Sequence, residues 1–235
     1  MRLLPAHFSS PSPARRPFIA RAALALTLTA TGAGVGAASS VPMEVSVTMT
    51  PAACTPTLSG GGVADYGLMN AAILKPGQIT ALPAISMVFS VNCDAAAKFS
   101  VLVIDNRTAS VVPGLVAMGS GNGALGDDYN FGLGSSAGRS VGGYSIRFVT
   151  GSYTGDYQPA LLMSSPDGLN WTSAANNAVS KRLQYSWGTG GATTEAYRAL
   201  SGSLSVQPYV NKPENLSLSN DVVLDGSATL ELHYL

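Results

Sequence analysis

Along much of the chain, apolar and polar residues alternate with a period of two, the pattern of strands with one buried face. Ile85, Met87, Phe89, Val91 and Cys93 share one side of such a run, with Ser86, Ser90 and Asn92 among the residues opposite. Phe99, Val101 and Val103 form the next, although Leu102 and Ile104 make its second face apolar too. Tyr144, Ile146 and Phe148 alternate again, and Leu204, Val206 and Pro208 continue a later run. The cleanest run is the last. Val222, Leu224, Gly226, Ala228, Leu230, Leu232 and Tyr234 lie on one face, with Asp225, Ser227, Thr229, Glu231 and His233 among those on the other.

Turn formers separate these runs at Gly60-Gly61-Gly62, Pro76-Gly77, Gly119 to Asp128 and Pro166-Asp167-Gly168. Short strands at such spacing predict an all-β sandwich or barrel, here a single domain over 54–235. Ser173 to Val179 is the one stretch compatible with a short helix. Val41 to Thr50 is a further alternating run, with Met43, Val45, Val47 and Met49 on one face and no short hairpin to a neighbour. Apolar strands at both ends of a chain are an aggregation hazard unless they are paired. Two readings follow: the terminal strands pair between chains, or they are ordinary outer strands of one closed sandwich.

The first 38 residues read as a signal peptide. Arg2, Arg15, Arg16 and Arg21 form a basic region, Ala22 to Gly36 an apolar one, and Gly36-Ala37-Ala38 a small-residue cleavage site. The apolar run is too short to span a bilayer. Arg15-Arg16 is similar to a twin-arginine signal; the general secretory route is the simpler reading. Cleavage would remove four of the 13 basic residues and none of the 13 acidic ones, leaving a net charge of −4. With 11% charged and 46% hydrophobic residues, the chain is neither a disordered polymer nor a nucleic-acid binder. Cys54 and Cys93 are the only cysteines, and in an oxidising compartment the pair is expected to form a disulfide.

Catalytic patterns are missing. There is no phosphate-binding Gly-Lys-Ser/Thr loop, His-Glu-x-x-His or Gly-x-Ser-x-Gly elbow, so neither an enzyme nor a cofactor or metal is expected. His233 alternates outward on the last run, and Asp127-Asp128 and Asp105-Asn106-Arg107 read as turn residues. Asn170 and Trp171, with Tyr153 and Tyr157, are the candidate carbohydrate contacts, because aromatics in long loops can stack on sugar faces.

The order of these features resembles the pilin subunits of Gram-negative chaperone–usher fimbriae. It is closer still to an uncharacterised family of exported, fimbrial-type β-proteins. The resemblance rests on the signal peptide, the extension 39–53, Cys54, Asp65-Tyr66-Gly67, Phe89-Ser-Val91-Asn-Cys93, and the last strand with its penultimate Tyr234. Asp105-Asn106-Arg107, Phe131-Gly132-Leu133-Gly134 and Asp225-Gly226-Ser227-Ala228 also match.

That resemblance implies an immunoglobulin-like sandwich lacking its final strand, completed first by a periplasmic chaperone and then, at an outer-membrane usher, by another fimbrial subunit. Met43, Val45, Val47 and Met49 would be the donor residues. Ala228, Leu230, Leu232 and Tyr234 would form the acceptor edge, with a host or surface glycan as a further partner. The chain departs from the pattern in lacking a glycine in the extension and in its greater length, which suits a minor or tip subunit. The competing expectation is a stand-alone secreted or periplasmic carbohydrate-binding sandwich.

Overall fold

The structure, a computed structural model, describes residues 52–219 and 221–235. The signal segment 1–38 and the donor residues Met43, Val45, Val47 and Met49 lie outside them. The alternating runs become strands: β1 (Cys54–Leu58), β2 (Ile85–Ala97), β3 (Phe99–Asp105), β4 (Phe131–Gly132), β5 (Gly142–Phe148), β6 (Leu161–Ser165), β7 (Thr172–Ser173), β8 (Gln184–Gly188), β9 (Tyr197–Val210) and β10 (Ala228–Tyr234). One sheet has the order β1-β2-β9-β5-β4, and the facing sheet has β7-β6-β8-β3-β10. Short pieces, Thr80–Ala81 and the hairpin Thr154–Gly155 with Gln158–Pro159, extend the first sheet beside β9. Each of these pairings is antiparallel, and the molecule is an all-β sandwich.

The core is the sum of the alternating faces. Met87, Phe89 and Val91 of β2 meet Phe99, Val101 and Val103 of β3, and Ile146, Phe148, Tyr185 and Trp187 fill the middle. Phe148 packs edge-on against Tyr185, Trp187 and Tyr153 at centroid distances of 5.4, 5.3 and 5.9 Å. Such ring pairs add about 0.5–1.5 kcal/mol each beyond the area they bury. The Cys54–Cys93 disulfide forms, tying the edge strand β1 to β2 at paired positions.

Two expectations need correction. Ser173 to Val179 is not a helix: Thr172–Ser173 is strand β7, and the segment then bends through 175–177 and bridges β5 at Arg147↔Ala178, with Phe148 N–H donating to Asn177 O and Val179 N–H to Ile146 O. Asn176 accepts from Ala178 N–H with its side chain, the local bond by which asparagine competes with helix formation. The helix lies elsewhere, at Leu115–Ser120 (α1), between Gly114 and Gly121, both left-handed at φ 71° and 68°. It buries Leu115 and Val116 in a second small core with Leu125, Ala178 and Tyr209. The final run is also shorter than its pattern, since only 228–234 is strand.

Candidate functional site

Strand β10 is an edge. It pairs with β3 in the register Ala228↔Asp105 to Tyr234↔Phe99, and no other described strand lies against it. Leu235 N–H donates to Lys98 O at 3.1 Å, and Ser227 O accepts from Asn106 N–H at 3.0 Å. In an antiparallel ladder, opposed residues alternate between bonded and non-bonded pairs. The odd-numbered residues of β10 therefore spend their backbone groups on β3. Ala228, Leu230, Leu232 and Tyr234 turn their N–H and C=O outward.

The same four residues share the face toward the other sheet. Ala228, Leu230 and Leu232 are half-buried and pack on the core, whereas Tyr234 is 54% exposed. Cys54 and Leu58 of β1 pack on that core from the facing sheet and are likewise half-buried. Cys54 N–H donates to the Tyr234 hydroxyl at 2.7 Å, so β1 and β10 meet at one end of the same side of the sandwich. His233 faces outward, within 3.5 Å of Glu231.

The start of β10 is anchored where three separated segments converge. The Asn106 side-chain amide donates to Ser227 Oγ and Thr229 Oγ1, both at 3.0 Å. Arg107 pairs with the Asp225 carboxylate and donates from Nε to Asp225 O. Asp225 N–H in turn donates to Leu133 O at 3.0 Å. Beneath them the Asp105 carboxylate, with a side chain 1% exposed, accepts from Arg107 N–H at 2.9 Å and Gly132 N–H at 3.0 Å. Lys181 approaches that carboxylate to 3.6 Å, donates to Asn130 O at 2.7 Å and lies over the Phe131 ring. A Cβ at Gly132 would sit 2.1 Å from Arg107 O, which explains why only glycine fits there. Burial, reinforced by the charge of Asp105, pushes the Tyr144 hydroxyl well above its usual range.

The proposed carbohydrate contacts are not brought together as a set. Tyr153 is 3% exposed and stacks on Trp187 in the core, with its hydroxyl pushed up by burial. Tyr157 is 96% exposed at the Thr154–Pro159 hairpin tip, at φ 69°. Asn170 and Trp171 belong to a third place, a loop organised by Asp167. That carboxylate accepts from the backbone N–H groups of Asn170 and Leu169, the Asn170 side-chain amide and the Ser165 hydroxyl, all at 2.8–2.9 Å. These bonds, those from Asn170 first, hold its carboxyl well below the usual carboxylate range.

Asp127 and Asp128 are engaged by protein groups: Asp127 accepts from Gly114 N–H at 2.7 Å, and Asp128 pairs with Arg182 at 2.8 Å. Among the described residues there is no group of three or more His, Cys, Asp or Glu side chains that could hold a metal ion. No described helix is long and apolar enough to cross a membrane. The disulfide is consistent with an oxidising, exported setting.

No solved structure matches the chain. Protein GltF of Escherichia coli K12 is 28% identical, the match covering 79% of this chain and 85% of that protein. The uncharacterized protein YhcF of the same organism is 24% identical, over 80% of this chain and 88% of its own length. The model of a family described as a protein of unknown function, DUF1120, matches residues 43–145.

Proposed function

We propose that this chain is an exported structural subunit of a surface fimbria that assembles by strand addition. The extension carrying Met43, Val45, Val47 and Met49 of one copy would lie along the outer edge of β10 in the next. The observation that carries this reading is β10 itself: of its four residues with outward backbone groups, Ala228, Leu230 and Leu232 also rest their side chains on the core. An incoming strand would gain a hydrogen-bond ladder and an apolar seat together. Burying four Met and Val side chains contributes on the order of 6–10 kcal/mol before ordering costs. Head-to-tail repetition of one such contact does not close and so makes a filament. Before assembly a periplasmic chaperone would cover the edge, and an outer-membrane usher would exchange it. The role is one of assembly, with no catalysis.

The test compares the mature chain with a form lacking residues 39–51, with and without a peptide of residues 41–51. The truncated form should melt low, and the peptide should raise its melting temperature by tens of degrees. Leu230→Asp should abolish that gain. A monomer whose stability ignores both truncation and peptide would overturn the reading.

A further inference from the structure

Four separate segments border a shallow, open cavity of about 500 Å³. The end of β10 supplies Tyr234 and the start of β3 is preceded by Lys98. The segment after β8 supplies Thr193 and Thr194, and the loop before β7 supplies Leu169 and Trp171. This volume falls in the range of small-ligand sites.

Its walls are of two kinds. The Tyr234 ring, the 82% exposed side chain of Leu169 and the edge of the 8% exposed Trp171 are apolar. The Thr193 and Thr194 hydroxyls and the Lys98 ammonium are hydrogen-bonding groups. Lys98 belongs to none of the ion pairs among the described residues, and Leu235, whose N–H donates to Lys98 O, also lines the cavity.

The loop is preset rather than loose. The Asp167 carboxylate fixes the backbone of Leu169 and Asn170, and Trp171 Nε1–H donates to Gly168 O at 3.2 Å. A wall held by its own hydrogen bonds loses little conformational freedom on binding.

We propose that this polar cavity binds a hexopyranose unit of a glycan. A pyranose has an apolar C–H face that suits the Tyr234 ring and Leu169, and a rim of hydroxyls that suits two threonines and an ammonium. The site shares Tyr234 with the outer edge of β10, while its other walls come from segments outside that edge. Of the aromatics that the sequence offered as carbohydrate contacts, it uses only Trp171.

The test follows the two tryptophan indole N–H signals of the isotope-labelled mature chain by NMR, assigned with Trp171→Phe. The chain is titrated with the methyl pyranosides of glucose, galactose, mannose and N-acetylglucosamine. At least one sugar should shift the Trp171 signal, leave the core Trp187 signal in place and saturate in the millimolar range. Lys98→Met and Thr194→Val, which nearly keep side-chain volume, should each weaken that binding about tenfold, a loss of about 1.4 kcal/mol. Their melting temperatures should match that of the parent. Absence of any shift overturns the proposal, as does a shift that both variants retain. A Trp171 shift given by the peptide 41–51 and by no sugar also overturns it, assigning the cavity to strand docking.

Discussion

Replacing Asp105 by alanine strikes the point where both sheets and the last strand are joined. The carboxylate is buried and serves Arg107 N–H, Gly132 N–H and Lys181 together. Alanine leaves two backbone donors without an acceptor, at about 1–2 kcal/mol each, because a buried orphan pays its full desolvation cost. The Lys181 ammonium loses its counter-charge, but at 3.6 Å and with its side chain 21% exposed it can turn toward water and still hold Asn130 O. That contact adds only about 1 kcal/mol. The expected loss is about 3–5 kcal/mol, read from urea unfolding of the disulfide-bonded chain with an unchanged m-value. Asp105→Asn keeps one acceptor oxygen and should lose about half as much. Combined with Lys181→Met, Asp105→Ala should show a coupling of about 1 kcal/mol in a double-mutant cycle. Hydrogen exchange should speed up at Gly132 and at Ser227–Thr229 before the middle of β9. A loss under about 1 kcal/mol, with exchange at β10 unchanged, would refute the claim that this junction holds the last strand.

Removing the disulfide by Cys54→Ala with Cys93→Ala releases a loop spanning 39 residues and should cost about 4 kcal/mol, checked by unfolding the variant beside the reduced parent. Gly202→Ala would place a Cβ 2.4 Å from the Tyr153 ring in the central strand β9. It should cost about 1–3 kcal/mol, whereas Gly123→Ala, with open space around it, should stay within about 0.5 kcal/mol in the same assay. The Asp167 carboxyl is more acidic in the folded chain than in the unfolded one. Its contribution to stability is therefore complete above the ordinary carboxylate range near pH ~4 and is lost as pH falls below it. Asp167→Asn should flatten that acid limb, seen as protection factors at Leu169 and Asn170 that are lower than in the parent and no longer fall with pH.

Much of the sandwich was legible in the chain because a strand with one buried face must alternate, and that alternation needs no knowledge of the partner strand. Phe89, Val101 and Ile146 were core candidates on this ground alone, and the pairing of Cys54 with Cys93 followed from there being two cysteines in a chain whose start reads as a signal peptide. Ser173 to Val179 misled because its alanines suit a helix, while its asparagines bond locally and Ala178 and Val179 are drawn into the core. Position on a buried face cannot be read for an isolated aromatic, so Tyr153 and Tyr157 looked alike in sequence; one is core and the other is a turn tip.

The junction at β10 was legible only as three unexplained segments. Asp105-Asn106-Arg107 reads as a turn, and nothing in it announces Asp225 at a distance of more than a hundred residues. Periodicity, turns and the presence of one cysteine pair are written in the order of residues, because they need no knowledge of distant partners. Tertiary structure alone decided which backbone groups of β10 face outward, which segments meet at Asp105, and which side chains border the cavity beside Tyr234. These depend on strand register and on contacts between residues far apart in sequence, and a local pattern carries no information about either.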